Sequence, residues 1–419
     1  MISKEVLRQV VTRQKEEISK KTETVERELL HEILKWLDDP RIIILTGLRR
    51  CGKSTLLKQI MEKKRDWCYV NFEDERLLDF KAQDFEMLNE VLVEIYGPVK
   101  IYFFDEVQNI DKFEAFVRRL QDENKKIIIT GSNATLLSKE FGTKLTGRYK
   151  SFEVYPFSFG EFLAFKKIEI SKKDFYSIEK KVMLHKLLEE YLVAGGLPEY
   201  LKNKDIEYVK TVYDNIVYKD IITRYAIRKE KIMKELMNIL ATQTTLPFTY
   251  NALKRTVGLA NAITVKEYIF YLSNTFLFFE MLKFSHSLKQ QLNAPRKIYL
   301  IDPAFYQVCG TNFTPNKGRN LENAVFIQLK REGKECYYFS QKGECDFLVK
   351  DGAKISEAIQ VCMTIDENNK EREIEGLKEA MDACNLHEGL IITQEQEEEI
   401  RIEKKKIKII PLGKWLLER

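Results

Sequence analysis

The sequence predicts an α/β protein in which a parallel sheet comes first and helical and further α/β modules follow it. From residue 41 to about residue 155, short apolar runs alternate with stretches of helical spacing, which is typical of a parallel sheet covered by helices. The chain has 419 residues, more than one ordinary hydrophobic core holds, so we expect two to four domains.

The composition is that of a soluble globular protein with a strongly charged surface. Hydrophobic residues make up 44% of the chain and charged residues 32%, and the net charge of +5 neither excludes nor requires a nucleic-acid partner. The seven cysteines are scattered and the four histidines are isolated, which favours reduced thiols and no zinc site. Because no signal-peptide core or membrane-spanning apolar segment is present, we expect a cytoplasmic protein without a membrane partner.

The most informative stretch is a glycine-bounded loop between an apolar run at 41–45 and a segment of helical spacing at 56–60. Its residues are Thr46, Gly47, Leu48, Arg49, Arg50, Cys51, Gly52, Lys53, Ser54 and Thr55. They match the pattern G-x-x-x-x-G-K-[ST], which in this strand–loop–helix context predicts a cradle for phosphate groups.

Each part of this loop has a chemical reason. Gly47 and Gly52 permit backbone angles and a close approach that a Cβ atom would block. The backbone N–H groups of the loop and the start of the helix would face phosphate oxygens. Lys53 would reach the β- and γ-phosphates, Ser54 would ligate Mg²⁺, and Thr55 would lie near the α-phosphate. We therefore expect the chain to bind a nucleoside triphosphate together with Mg²⁺.

Two carboxylates, Asp105 and Glu106, directly follow the third of the predicted strands, which span residues 41–46, 67–72, 99–104 and 126–130. The carboxyl end of a buried strand is where ligands bind in open α/β sheets. We interpret Asp105 as the acid that holds Mg²⁺ through water and Glu106 as the base that orients the attacking water. Without the phosphate loop upstream, the polar start of a loop would explain both residues equally well.

The fourth predicted strand ends in Ser132 and Asn133, which would lie close to the γ-phosphate. Either residue is a candidate sensor of that phosphate. The alternative is that Asn133 caps a helix at 134–138, and both roles could hold together.

These motifs resemble the Walker A and Walker B motifs of the AAA+-type branch of P-loop ATPases. With the stretches 145–149, 155–162 and 195–200, the chain beyond residue 40 resembles a large prokaryotic family of AAA+-like ATPases that carry a C-terminal domain of unknown function. The resemblance implies ATP hydrolysis to ADP. It also implies that Arg148 is an arginine finger or sensor, acting in cis or, within a homo-oligomer, in trans. A surface ion pair is the alternative for Arg148.

Residues 156–230 resemble the helical lid of AAA+ proteins, and residues 231–310 have the helix–turn–helix and strand order of a winged helix. The third helix of that module would read DNA, yet it carries one lysine, Lys266, against one glutamate, Glu267. A modest basic rim would come from Lys254, Arg255, Lys289, Arg296 and Lys297. DNA binding, protein binding and a purely structural role therefore stay open.

Residues 311–419 resemble a restriction-endonuclease core. A working site would use Glu322, Asp346 and an acid-x-lysine pair, but the chain has Gln360 and Cys362 at the last two positions. Glutamine is a poor Mg²⁺ ligand, and cysteine cannot replace the charge of a lysine. We expect the nuclease to be inactive unless a catalytic group has moved to another element.

The predicted organisation is an N-terminal helix plus an ATPase core at 1–155, a lid at 156–230, a winged helix at 231–310 and an α/β domain at 311–419. The sequence favours a Mg²⁺-dependent ATPase of AAA+ type whose nucleotide state repositions these modules on an unidentified protein partner. The alternative is a DNA-binding protein regulated by ATP, with slow or structural nucleotide turnover. Glu106 favours turnover, because a structural nucleotide site needs no base.

Overall fold

A computed structural model describes residues 2–132, 147–309 and 316–419. The chain divides into two units, residues 1–155 and 156–419. Among the described helices, none is both long enough and apolar enough to cross a membrane.

The N-terminal unit is built on a five-stranded parallel sheet with the strand order β2-β3-β4-β1-β5. Its strands are β1 (Ile42–Gly47), β2 (Trp67–Asn71), β3 (Ile101–Asp105), β4 (Lys126–Gly131) and β5 (Tyr149–Val154). Its helices are α1 (Lys4–Ser19), α2 (Glu28–Leu34), α3 (Lys53–Glu62), α4 (Phe85–Tyr96) and α5 (Phe113–Asp122). The four predicted strands and the parallel sheet are confirmed, with strand ends shifted by one or two residues.

Two elements of this unit were not predicted. Strand β5 pairs with β1 along its whole length, although only Phe152 and Val154 of its residues are buried. Helix α1 is rich in charged residues, yet it buries Leu7, Val10 and Val11 in the core that also contains the apolar residues of the sheet. Neither β5 nor α1 contains a long apolar run of the kind that predicted the other four strands.

The C-terminal unit contains a nine-stranded mixed sheet. Its strands are β6 (Pro247–Phe248), β7 (Phe278–Lys283), β8 (Arg296–Leu300), β9 (Glu335–Ser340), β10 (Glu344–Asp351), β11 (Lys354–Val361), β12 (Glu388–Thr393), β13 (Glu398–Ile402) and β14 (Lys405–Pro411). Its helices are α6 (Phe159–Phe165), α7 (Ile178–Ala194), α8 (Pro198–Asn203), α9 (Ile206–Asn215), α10 (Glu230–Thr242), α11 (Tyr250–Thr256), α12 (Ala262–Asn274), α13 (Leu288–Asn293), α14 (Tyr306–Cys309), α15 (Lys317–Arg331), α16 (Lys370–Ala383) and α17 (Leu412–Glu418), with a π-helical stretch at Ile216–Thr223.

The order of this sheet is β13-β14-β12-β11-β10-β9-β7-β8-β6, so it crosses the predicted boundary near residue 310. The crossing is the parallel pairing of β7 with β9, which sets Leu282 opposite Tyr337 and Lys283 opposite Tyr338. The strands assigned to a winged helix and those assigned to a separate α/β domain therefore form one sheet. Pairing between strands about fifty residues apart leaves no local signal in the sequence.

Helix α7 ends in a tight turn at Gly195 and Gly196. Gly195 has a φ of 73°, and a Cβ atom there would lie 1.8 Å from Asp302 Oδ1. The Gly196 N–H donates a hydrogen bond of 2.6 Å to Asp302 Oδ2. Helix α8 then starts at Pro198, whose missing N–H costs nothing at a first helical position.

Candidate functional site

The phosphate loop connects β1 to α3 at the carboxyl edge of the N-terminal sheet. Gly47 has a φ of 150°, and a Cβ atom there would lie only 2.1 Å from the Val154 carbonyl oxygen. Gly52 has a φ of 101°, and its Cβ would lie 2.9 Å from Arg27 Nη1. Both positions therefore require glycine, for backbone conformation and for space.

Lys53 is buried at the start of α3. Its amine donates hydrogen bonds to the carbonyl oxygens of Gly47 at 3.2 Å and Leu48 at 3.0 Å. The same amine lies 3.6 Å from Glu106 Oε1. The phosphate loop and the end of β3 are thus brought together around the Lys53 amine.

Asp105 is buried at the end of β3, where it accepts hydrogen bonds from Tyr69 Oη at 3.1 Å and from the Thr130 hydroxyl. The Ser54 hydroxyl is also a hydrogen-bond partner of this carboxylate. Burial and the neighbouring Glu106 raise the pKa of Asp105, although these hydrogen bonds oppose the shift. A hydroxyl and a carboxylate side by side are oxygen ligands that suit Mg²⁺.

Glu106 adopts a left-handed backbone conformation with a φ of 51°. Its N–H donates to Thr130 Oγ1 at 2.9 Å, which fixes the turn that directs its side chain toward Lys53. Burial opposes ionisation of Glu106, but the charges of Lys53 and Arg49 and a hydrogen bond from Gln108 outweigh it and lower the pKa. A strained, ionised carboxylate next to the phosphate loop is suited to act as a base.

Of the two sensor candidates, Ser132 and Asn133, the structure describes Ser132. Ser132 is buried and is a hydrogen-bond partner of the Glu106 carboxylate, so it belongs to the site. Asn133 lies outside the described residues.

Arg148 lies at the opposite edge of the sheet. It directly precedes β5, its carbonyl oxygen accepts from the Ile42 N–H at 2.9 Å, and its Nη1 atom lies 2.7 Å from Asp122 Oδ1. The six residues of β5 separate it from the phosphate loop by about 20 Å. The structure contains the ion pair with Asp122 that was the alternative for Arg148.

Arg27 and Thr130 are parts of this site that the sequence analysis missed. Arg27 is buried behind the loop and donates to the carbonyl oxygens of Cys51 at 2.9 Å and Tyr155 at 2.6 Å. It has no recognisable signal in the sequence, because it follows a charged stretch. Thr130 could have been found, because it is the penultimate residue of β4, at the same edge at which Asp105 ends β3.

A second polar cluster lies in the C-terminal unit and includes Glu322 and Asp346, the predicted remnants of a nuclease site. Between them lies Lys297 of β8, which was not predicted there and is only 2% exposed. Its amine is 3.0 Å from Glu322 Oε1, 3.0 Å from Asp346 Oδ1 and 2.8 Å from Glu344 Oε1. A lysine from another strand thus lies in this cluster and pairs with all three carboxylates.

Gln360 occupies the position at which a working nuclease site would need an acid. Its carbonyl oxygen accepts from the Asp346 N–H at 3.1 Å, and its amide donates to Glu373 Oε2 at 2.6 Å. The burial of Lys297 and Arg296 also removes both from the predicted basic rim. The Arg296 guanidinium lies 4.5 Å above the Tyr250 ring instead.

Comparison with known proteins places these features in a family. Residues 39–163 match the family described as an AAA domain, and residues 185–315 match a domain of unknown function, DUF8612. Uncharacterized protein MJ1544 of Methanocaldococcus jannaschii is 36% identical over 441 residues, which cover 100% of this chain and 96% of that protein. An uncharacterized protein of Haemophilus influenzae is 29% identical over 411 residues, covering 93% and 97% of the two chains.

Solved structures with a similar chain path include a Walker-type ATPase of Pyrococcus abyssi, with a TM-score of 0.46, 16% identity, and coverage of 70% of this chain and 99% of that one. The Aeropyrum pernix ORC1 protein, solved in complex with DNA, has a TM-score of 0.30 at 12% identity and covers 68% and 93%. On the family match and the full-length relative, the chain belongs to the family of MJ1544 and contains an AAA domain of the P-loop ATPase class at residues 39–163.

Proposed function

We propose that the N-terminal unit binds ATP with Mg²⁺ and hydrolyses it to ADP and phosphate. The observation that carries this proposal is the position of Lys53, whose amine lies within the phosphate loop and 3.6 Å from Glu106. A site that merely held a nucleotide would not need an ionised carboxylate in a strained backbone conformation at this distance.

In this proposal the backbone N–H groups of the loop surround the phosphates, and the residues that supply them are Gly47, Leu48, Arg49, Arg50, Cys51, Gly52, Lys53, Ser54 and Thr55. Lys53 leaves the loop carbonyls that it now contacts and pairs with the β- and γ-phosphates. Ser54 and Asp105 would hold Mg²⁺, which offsets phosphate charge when bound. Glu106 orients the attacking water and accepts its proton, while Ser132 and Asn133 monitor the γ-phosphate.

The rest of the chain would use the nucleotide state to act on a protein partner. We infer that residues 156–230 serve as the lid, that residues 231–310 form a winged helix, and that the strands after residue 311 descend from an inactive restriction-endonuclease fold. Lys297 comes from another element, as a displaced catalytic lysine would, but its amine pairs with Glu322, Glu344 and Asp346 and so neutralises carboxylates that would hold a metal ion. Together with the neutral Gln360, this pairing supports inactivity. The protein would act in the cytoplasm, and Arg148 remains available to a second copy in a homo-oligomer.

Replacing Glu106 with glutamine tests the proposal. Glu106→Gln keeps the size of the side chain but removes the base, so we expect ATP binding within about threefold of wild type and phosphate release slowed by about a hundredfold or more. Steady-state phosphate release and fluorescent-nucleotide binding measure the two effects. Phosphate release at the wild-type rate by Glu106→Gln would contradict the assigned base.

A further inference from the structure

Arg49 lies at the carboxyl edge of the N-terminal sheet, within the phosphate loop. Its side chain is 18% exposed, and Nη1 lies 2.8 Å from Glu73 Oε1. Glu73 follows β2, whereas the phosphate loop follows β1, and the strand order places β4 and β3 between them. The Arg49–Glu73 pair therefore bridges about three strand spacings, roughly 14 Å, across the ends of β4 and β3.

The end of β3 carries Asp105 and Glu106, so the guanidinium of Arg49 is held at the edge where the γ-phosphate would lie. Arg148, the arginine assigned by resemblance, lies at the other edge of the sheet and is paired with Asp122. Arg50, the neighbour of Arg49, has an exposed side chain.

We propose that Arg49 contacts the γ-phosphate during hydrolysis and serves as an arginine finger supplied within the same chain. This inference rests on the ATPase activity proposed above. The Glu73 side chain that pairs with Arg49 is half-exposed, so this ion pair is weak enough to yield to a triphosphate.

The chemistry of the step assigns Arg49 an electrostatic role only. The oxygen of water forms a bond to the γ-phosphorus while the bond from that phosphorus to the bridging oxygen breaks. The electron pair of the broken bond stays on the β-phosphate of ADP, and the proton of the water passes to the carboxylate of Glu106. Arg49 transfers no proton, and its guanidinium offsets the negative charge on the equatorial and bridging oxygens.

The test compares Arg49→Ala, Arg49→Lys and the control Arg119→Ala in the full chain. Arg119 is a matched control because it also pairs with a carboxylate of the same unit, Glu86, at 2.5 Å. We expect Arg49→Ala to lower kcat by about a hundredfold to a thousandfold, Arg49→Lys to restore part of it, and Arg119→Ala to leave it unchanged.

Two further readouts separate catalysis from structure. Affinity for ADP with Mg²⁺ should change less than about threefold in Arg49→Ala, because ADP has no γ-phosphate. Affinity for ADP with aluminium fluoride, which imitates the transferring phosphoryl group, should fall by about the same factor as kcat. Wild-type turnover per chain should stay constant on dilution, because the finger belongs to the same chain.

Several outcomes would overturn the inference, and they differ from a failure of the proposed function. If wild type releases no phosphate from ATP, the proposed ATPase itself fails. If wild type hydrolyses ATP but Arg49→Ala does so at a similar rate, only the role of Arg49 fails. If Arg49→Ala loses affinity for ADP by the same factor as it loses kcat, Arg49 has a structural role instead. If Arg148→Ala loses ATP hydrolysis, and wild-type turnover per chain rises with protein concentration, a second copy supplies the arginine finger.

Discussion

At the end of β3, two adjacent carboxylates have opposite electrostatic surroundings. Burial and the charge of Glu106 raise the pKa of Asp105. Glu106 instead lies 3.6 Å from the Lys53 amine, and its pKa is lowered despite its burial. Asp105 gains a partner for its negative charge when a divalent cation binds beside it, whereas Glu106 already has the Lys53 amine as a partner. The contrast suits a metal ligand and a general base.

Thr130 connects these two residues, because its hydroxyl donates to Asp105 and accepts from the Glu106 N–H. Thr130→Val keeps the shape of the side chain but removes both hydrogen bonds, each worth about 1 to 3 kcal/mol where a charged partner is involved. We expect kcat for ATP hydrolysis to fall at least about tenfold, with ATP affinity changed much less. Steady-state kinetics measure the split between the two.

Thr130→Ser is the matched control for this prediction, because serine retains the hydroxyl and should keep most of the activity. Similar activity in Thr130→Val and wild type would mean that the turn at Glu106 is fixed by other contacts.

At the scale of elements, the sequence predicted those strands whose residues alone show that they are buried. The isoleucine-rich runs of β1 and β4 and the apolar run of β3 were predicted because a strand buried in a parallel sheet must be apolar throughout. Strand β5 was missed because it lies at the edge of the sheet and alternates in burial. The C-terminal sheet was not predicted as one sheet, because the pairing of β7 with β9 joins residues that are far apart in the chain.

In the candidate site too, the sequence predicted residues in local motifs and missed residues that come from distant elements. Lys53, Asp105 and Glu106 were predicted because each belongs to a local motif at a strand end. Arg27 and Lys297 were not, because each reaches its partners from a distant element. Arg148 was assigned by resemblance alone, and the parallel pairing of β5 with β1 places it at the edge of the sheet opposite the phosphate loop.

The turn between α7 and α8 offers a test of packing at the element scale. In Gly195→Ala the new methyl group would meet Asp302, which cannot move aside because it is buried and accepts from the N–H groups of Gly196 and Ala304. We expect the free energy of unfolding to fall by about 2 to 4 kcal/mol. Urea unfolding followed by circular dichroism measures it.

Gly258→Ala is the control for this substitution. Gly258 has a φ of 68°, close to that of Gly195, but nothing lies within 4 Å of its Cβ position. This control should cost about 1 kcal/mol from backbone conformation alone. An equal loss in both variants would mean that the contact with Asp302 does not constrain the turn.

At the scale of the whole molecule, the continuous sheet of the C-terminal unit limits how that unit can move. Because β7 and β9 are hydrogen-bonded neighbours, any displacement of the strands assigned to the winged helix carries β9 with it. A nucleotide-driven change would therefore move these strands together, rather than swing a winged helix on a linker. The DNA-binding alternative requires, in addition, a basic surface that DNA can reach.

The surface of that module favours a partner other than DNA. On α12 the exposed residues include Ile263 and Phe270 beside one lysine and one glutamate, and Arg296 and Lys297 are buried. We therefore expect no duplex DNA binding at about 150 mM salt and at most weak binding at about 50 mM. Fluorescence anisotropy with a labelled duplex measures this. Tight binding that weakens steeply with salt and is lost in an Arg255→Ala, Lys289→Ala double variant would establish the alternative instead.

The binding of ATP with Mg²⁺ to the wild-type chain and to Lys53→Ala, measured by isothermal titration calorimetry, tests the central claim most directly. Lys63→Ala is the control, because Lys63 directly follows α3 and pairs with Glu26 on the surface. We predict that Lys53→Ala weakens binding by about a hundredfold or more, since it removes a buried amine between the loop and Glu106, and that Lys63→Ala binds as wild type does. Equal affinity in Lys53→Ala and wild type, or no binding by wild type, would contradict the account.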